Sequence, residues 1–283
     1  MANSFLDILK EKIVVFDGAT GTHFQGQNLT PDDFGGEHLA GCNEYLVVSK
    51  PSAVENVHSD YLEAGCDVIE TNSFGSARIV LAEYGLQDKA YELSFKAAQI
   101  AKRMANDYTR NGHQRFVAGS MGPTTKLPSL GHISFKEMAA DYHEQAKGLV
   151  EGGADLLSVE TCQDVLQIKA ALYGIFEYFE EARRRVPIVV SVTIETMGTM
   201  LLGTEISAAL TSIEPYDVDV IGMNCATGPK EMSEHVRVLS QSSPKPIFVM
   251  PNAGLPENVG GQAHYHLSPE QLVQYLSHFV KDL

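Results

Sequence analysis

Short apolar runs alternate along the 283-residue chain with longer stretches whose apolar positions recur at helical spacing. The runs at 13–16, 67–70, 115–118, 155–159, 188–192, 218–221 and 246–250 are rich in Val and Ile and read as strands. Helical patterns follow at about 52–64, 76–108 with a break near Gly85, 134–152, 164–184, 205–213, 230–240 and 268–282. Short β-branched runs alternating with longer helical ones are the signature of a parallel sheet with crossover helices. Gly65 and Gly153 each stand between a helical stretch and a strand, where glycine closes a helix in the left-handed conformation, so they mark one end of the sheet.

The loops that follow the strands differ in composition. They read Asp17-Gly18-Ala19-Thr20-Gly21-Thr22, Glu70-Thr71-Asn72-Ser73-Phe74-Gly75, Gly119-Ser120-Met121-Gly122-Pro123-Thr124, Glu160-Thr161-Cys162, Thr193-Ile194-Glu195, Asn224-Cys225-Ala226-Thr227-Gly228 and Asn252-Ala253-Gly254. Acidic, polar and Gly-rich residues therefore collect at the C-terminal strand ends, the face on which barrel enzymes build their sites. An open doubly wound sheet would normally serve a nucleotide, and neither GxGxxG nor GxxxxGK[ST] occurs. The pattern predicts an α/β fold, a (β/α)8 TIM-type barrel. Seven strands can be counted, so the eighth strand-helix unit is expected to be lacking from this chain. At this length one domain over 1–283 is expected.

Composition narrows the function classes. The balance of 21 Lys+Arg against 36 Asp+Glu gives a formal charge of −15, which repels phosphate backbones and anionic lipid and argues against nucleic acid as the main ligand. No segment approaches the roughly 18 apolar residues of a membrane span, and residues 1–12 lack the features of a signal peptide, so a cytoplasmic protein is expected. Arg183-Arg184-Arg185 reads as a solvated helix end.

Four cysteines, Cys42, Cys66, Cys162 and Cys225, are widely spaced without a CxxC, which argues against a disulfide framework. Cys225 leaves an apolar strand for a Gly-rich loop and is open to three readings: nucleophile, zinc ligand or packed thiol. Spacing alone favours the packed thiol, because free cysteine is among the most buried residue types. Zinc takes three or four ligands. Cys42 and Cys162 fall in expected top-face loops and could approach Cys225, but Cys162, close behind Glu160, can turn to the core and is not taken as a substitute ligand, while Cys66 falls in a bottom-face turn. His264-Tyr265-His266 holds the one close histidine pair and reads as solvated surface.

Asp17 and Glu160 end the first and fourth expected strands, which on a closed barrel face a common mouth. Each carboxylate suits a ligand ammonium, or equally a helix cap or salt bridge. Gly18 and Ala19 bare their amides, so a ligand carboxylate could bind there, though turn geometry alone also explains the glycine. Together these loops suit a small zwitterion such as an amino acid.

Asp17-Gly18-Ala19-Thr20-Gly21-Thr22, Glu70-Thr71-Asn72-Ser73-Phe74, Gly122-Pro123-Thr124, Val159-Glu160-Thr161, Gly222-Met223-Asn224-Cys225 and Pro251-Asn252-Ala253-Gly254-Leu255-Pro256 resemble, in that order, the motifs of the homocysteine S-methyltransferase domain. The likeness runs over nearly the whole chain. The first loop, with Gly41-Cys42-Asn43-Glu44-Tyr45-Leu46 leading to Lys50-Pro51, is most similar to the N-terminal module of cobalamin-dependent methionine synthases.

The resemblance implies a (β/α)8 barrel in which zinc holds the thiol of homocysteine as thiolate. A free thiol with a pKa of about 8.5 is mostly protonated at neutral pH, and metal coordination removes that proton. In the family three cysteines hold the metal: one after the sixth strand, to which Cys225 corresponds, and an adjacent pair at the eighth strand in a Gly-Gly-Cys-Cys-Gly context. No such pair occurs here, so the chain is similar to the family domain cut before its last strand, with an incomplete zinc site. The resemblance further implies that Asp17 and Glu160 hold the amino group of homocysteine, that the amides of Gly18 and Ala19 hold its carboxylate, and that Asn224 supports the metal site beside Cys225. The methyl donor would be methylcobalamin on another module, with folate bound elsewhere again. Betaine- or S-methylmethionine-dependent relatives share the fold and most motifs. A non-catalytic barrel fragment is the alternative from another class.

Overall fold

The computed structural model describes residues 4–110, 113–255, 257–259 and 262–283; Pro256 and the His264 side chain, both quoted above, lie outside the described residues. In chain order the elements are α1 (Phe5–Glu11), α2 (Thr20–Gly26), α3 (Leu46–Ser49), α4 (Pro51–Ala64), β1 (Val68–Glu70), α5 (Arg78–Leu81), α6 (Ala90–Tyr108), β2 (Phe116–Met121), α7 (Phe135–Gly152), β3 (Leu156–Cys162), α8 (Val165–Ala182), β4 (Ile188–Val192), α9 (Ile206–Ile213), β5 (Val220–Asn224), α10 (Pro229–Ser242), β6 (Ile247–Met250), β7 (Glu257–Val259), β8 (Gln262–His264) and α11 (Pro269–Asp282). The residues cluster into two compact units, Met1–Val159 with Lys169–Ile188, and Glu160–Ile168 with Val189–Leu283. Among the described residues no helix is long and apolar enough to cross a membrane.

In the first unit β1 pairs with β2 and β2 with β3, all parallel, with Val68 opposite Phe116 and Ala118 opposite Leu156. Every residue of β1 and β2 is buried, polar Glu70 and Ser120 included, as expected for parallel strands covered on both faces. The expected helix breaks are present: Gly65 and Gly153 close α4 and α7 at φ of 107° and 112°.

The expected first strand is corrected. Phe16 makes one isolated parallel bridge to Val68, and the run does not extend into a ladder. Val15 N–H donates to the Asp67 carboxylate (2.9 Å) and not to a neighbouring backbone, while the Val15 carbonyl accepts from Asp67 and Val68. A side-chain acceptor has replaced a strand partner. Ile13 and Val15 point outward at 61% and 54% exposure, whereas Phe16 turns in against Phe5 at 6.3 Å between ring centres.

The long segment before α4 was expected as a top-face loop. It folds as short helical turns whose Phe34, Leu39, Cys42, Leu46 and Val47 pack with Val54, Val57, Leu93 and Ala97 of α4 and α6. Cys42 is therefore a core residue and not a candidate ligand. Burial, helped by the charge of Glu44, pushes its thiol up to about 11.

In the second unit β4 pairs with β5 and β5 with β6, again parallel. Gly222 lies at the tightest approach: a Cβ there would stand 1.9 Å from the Phe248 carbonyl oxygen. Only glycine lets β5 and β6 close at this point, and closure sets the position of Asn224 two residues on. An antiparallel pair, β7 with β8, follows with Glu257 opposite His264. Sequence periodicity gave no strand there because the segment carries no apolar run.

Candidate functional site

In the second unit the chemistry gathers around the end of β5. Asn224 is buried and its side-chain amide is held at both ends. Its Oδ1 accepts from Ser191 Oγ (2.6 Å) and from the Thr161 N–H (2.9 Å), and its Nδ2 donates to Thr161 Oγ1 (2.7 Å). Its backbone carbonyl accepts from Thr193 Oγ1 at 3.0 Å. This pattern fixes which end of the amide is oxygen.

The chain then turns sharply. Cys225 and Ala226 hold φ of 62° and 58°, two consecutive residues with side chains in the left-handed region, and Thr161 holds 55°. Such residues are uncommon and cost on the order of 1–3 kcal/mol each, so the surroundings must enforce them. The turn is pinned by Cys225 N–H to the Met250 carbonyl (3.1 Å), Thr227 N–H to the Cys225 carbonyl (2.7 Å) and Asn252 N–H to the Thr227 carbonyl (3.1 Å).

Cys225 is half-buried, unlike Cys42, Cys66 and Cys162, which are buried. Burial raises its thiol pKa, and a hydrogen bond from Thr161 Oγ1, 3.9 Å from Sγ, works in the opposite direction. Glu160 lies buried in β3. Cys162 turns inward with Sγ 3.6 Å from the Glu160 carbonyl oxygen, and its thiol is pushed far up, first by burial and then by Glu160 and Asp164. It is not a second exposed thiol beside Cys225.

In the first unit Asp17 follows the Phe16 bridge. Its N–H donates to the Val68 carbonyl and its Oδ2 accepts the Glu70 N–H, both at 2.9 Å, so the carboxylate is anchored to β1. It does not cap α2, whose N-cap is Ala19 and has no side-chain cap. Tyr61 on α4 lies beside Gly18, 3.1 Å from where a Cβ would stand, and donates to the Ala19 carbonyl at 3.1 Å. Burial and then Asp17 push its hydroxyl up to about 12, so it stays a donor at physiological pH. Glu44 accepts the Gly75 N–H (2.9 Å), and the Asn43 carbonyl accepts from Asn72 (2.7 Å), which docks the first loop on the loop after β1.

Tyr61, Ser191 and Thr193 were not singled out from sequence. Ser191 is a lone polar residue inside an apolar run, and such a residue in a buried strand is the one signal that could have pointed to it. His266 pairs with Glu257 at 2.9 Å and is exposed. Arg183 and its two neighbours are exposed at the end of α8, as expected.

The homocysteine S-methyltransferase family model matches residues 14–283. The chain belongs to the homocysteine S-methyltransferase family. Among curated relatives of this methyltransferase-family chain, the methionine synthases of Mycobacterium leprae and Mycobacterium tuberculosis are 49% and 48% identical over 277 residues, 98% of this chain. The chain spans 23% of the length of each. Solved structures of the homocysteine methyltransferase MmuM from Escherichia coli share the fold at 22% identity. The oxidized form gives a TM-score of 0.76 over 98% of this chain and 91% of that one, and the metallated form 0.74 over 89% and 88%. Among the described residues of this family member, no group of three or more His, Cys, Asp or Glu is placed to hold a metal ion.

Proposed function

We propose that this chain is the homocysteine-binding domain, over 1–283, of a methyltransferase that moves a methyl group onto the thiol of homocysteine to give methionine. The observation that carries the reading is the pinned left-handed turn at Asn224-Cys225, in a chain that matches the family over residues 14–283. In the reaction the sulfur of homocysteine forms a new bond to the methyl carbon, loses its proton, and the bond from methyl to donor breaks.

Asp17 and Glu160 would take the substrate ammonium, and the amides of Gly18 and Ala19 its carboxylate. Asp17 suits this because its backbone anchor fixes the carboxylate before substrate arrives. Asn224 would hold the Cys225 turn. In the family-wide reading zinc would keep the substrate thiol ionised and Cys225 would be one ligand.

The described residues do not by themselves fit that ion: one half-buried thiolate offers one ligand where zinc needs three or four. The proposal therefore includes an eighth strand-helix unit, with two further ligands, from outside these residues. Methylcobalamin on another module is the proposed donor, because near-half identity links the chain to methionine synthases of which it spans 23%.

The test supplies the longer protein that carries this chain with homocysteine and methylcobalamin, betaine or S-methylmethionine and follows methionine, with bound zinc counted in parallel. Methionine from methylcobalamin supports the proposal, and methionine from betaine or S-methylmethionine alone replaces the donor. A second reading, a non-catalytic barrel segment, is favoured by the absence of a metal-holding group among the described residues. Neither bound zinc nor methionine with any donor would establish it.

A further inference from the structure

We infer that Thr161 is a positioning residue for Cys225: its hydroxyl, held by Asn224, fixes the direction in which the sulfur is presented. The inference rests on the proposed function only in treating Cys225 as the working thiol of this site. It begins with the count of donors and acceptors around one hydroxyl. A threonine hydroxyl has one proton to give and lone pairs to receive. At Thr161 a lone pair is taken by Asn224 Nδ2 at 2.7 Å, which leaves the proton free to point at Cys225 Sγ, 3.9 Å away.

The backbone supports the same assignment. Thr161 is β-branched and yet holds φ 55°, and the Cys225-Ala226 pair holds 62° and 58°. Thr161 and Cys225, 64 positions apart in sequence, are joined through Asn224, whose Oδ1 takes the Thr161 N–H and whose peptide carries directly into Cys225. Ser191 completes the amide at 2.6 Å, so Asn224 cannot turn without breaking three bonds. The strained end of β3 and the strained end of β5 are therefore one hydrogen-bonded unit. The Thr161 hydroxyl is the part of β3 that reaches the sulfur, alongside the Asn224 side chain and the Ala226 backbone on the β5 side.

A purely structural threonine would serve equally well as any residue of its shape. A positioning threonine needs its hydroxyl. The experiment measures the native-state alkylation rate of Cys225 by iodoacetamide with mass mapping of the labelled peptide, in the unaltered chain, Thr161→Ser and Thr161→Val, beside the thermal midpoint of each. Thr161→Ser is expected to alkylate within about twofold of the unaltered chain. Thr161→Val is expected to slow by about threefold to tenfold, the range an ordinary hydrogen bond supports.

Equal rates in all three, or an equal loss in Ser and Val, overturn the inference. Should Thr161→Val fail to fold, a crystal structure of the unaltered chain decides: Cys225 in one rotamer with Sγ within reach of Thr161 Oγ1 supports it, and a sulfur turned away overturns it. The labelling needs neither homocysteine nor metal. Hydroxyl-dependent labelling beside a longer parent protein that makes no methionine from any donor would sink the proposed function and leave this inference standing, and the reverse result would do the opposite.

Discussion

Gly174 on α8 packs against the carbonyl of Ala139 on α7 so closely that a methyl group at position 174 would lie 2.1 Å from that oxygen. Two effects compete on replacement by alanine. Helix propensity favours alanine over a mid-helix glycine by about 1 kcal/mol, whereas forcing a side chain into backbone costs about 1–3 kcal/mol and separates the two helices. The oxygen is main chain and cannot swing aside, so the steric cost wins. Gly174→Ala is expected to lower the urea midpoint, with a loss of up to about 2 kcal/mol in unfolding free energy after the propensity gain is set against it. Gly26→Ala is the control: nothing lies within 4 Å of its added methyl, so a change near zero or slightly stabilising is expected.

Counting accessible thiols separates Cys225 from the other three cysteines. Cys42, Cys66 and Cys162 are buried and Cys225 is half-buried. Burial pushes Cys42 up to about 11 and Cys66 up to about 12, Glu44 and Asp17 respectively adding to it, so neither forms thiolate at neutral pH. A disulfide-exchange reagent should consume one thiol per native chain quickly and all four only in denaturant. Cys225→Ser should remove the fast equivalent, and a second fast thiol in the native chain would contradict the packing described for Cys42 and Cys162.

The strand-helix alternation was legible because parallel strands buried on both faces leave a continuous apolar run, and the run survives in sequence whatever its neighbours are. Whether a run is paired does not survive in that way. The segment 13–16 looks as strand-like as 188–192, but Val15 gives its N–H to a side chain 52 residues away and the ladder stops at one bridge. The motif around Asn224 and Cys225 was legible as a place. Its mechanics were not, since Ser191 and Thr161 reach Asn224 from 33 and 63 residues away through bonds no local pattern encodes. Cys42 misled for the opposite reason: a polar-looking loop packs its apolar residues onto α4 and α6.

Asp67 acts as a latch for the segment that precedes Asp17. Its buried carboxylate takes Lys12 and His113 on Oδ1 and the Val15 N–H on Oδ2. Burial raises its pKa, but these three bonds outweigh burial and the net shift is downward. A lowered carboxyl pKa contributes stability that is present above the unfolded value of 3.8 and is lost as pH falls through the lower folded value. Asp67→Ala removes the acceptor and leaves Val15 N–H without it. Because Lys12 is nearly half exposed, the loss is expected at about 2 kcal/mol and not the larger cost of a fully buried pair. Hydrogen exchange at Val15 should quicken while exchange in β5 stays slow. Unchanged protection at Val15 would show that the latch does not hold the segment.

His58 on α4 sets a second and higher acid limit. Its ring is 1% exposed, and neither Nδ1 nor Nε2 has a hydrogen-bond partner among the described residues. Burial alone lowers its pKa from 6.5 to about 4, because the charged ring would have to give up water without gaining a partner. In the unfolded chain the same ring takes up a proton near 6.5, so stability is full above that pH and is lost as pH falls from about 6.5 through about 4. A shift of this size corresponds to about 3 kcal/mol between the two ends of the window. His58→Leu fills similar space, leaves no polar atom to satisfy, and should flatten the stability profile between pH 6.5 and 4 while changing stability at pH 7.5 by no more than about 1 kcal/mol. Urea unfolding at a series of pH values reads both quantities. If the unaltered chain and His58→Leu lose stability in parallel as pH falls, the acid sensitivity belongs to the carboxylates and His58 plays no part in it.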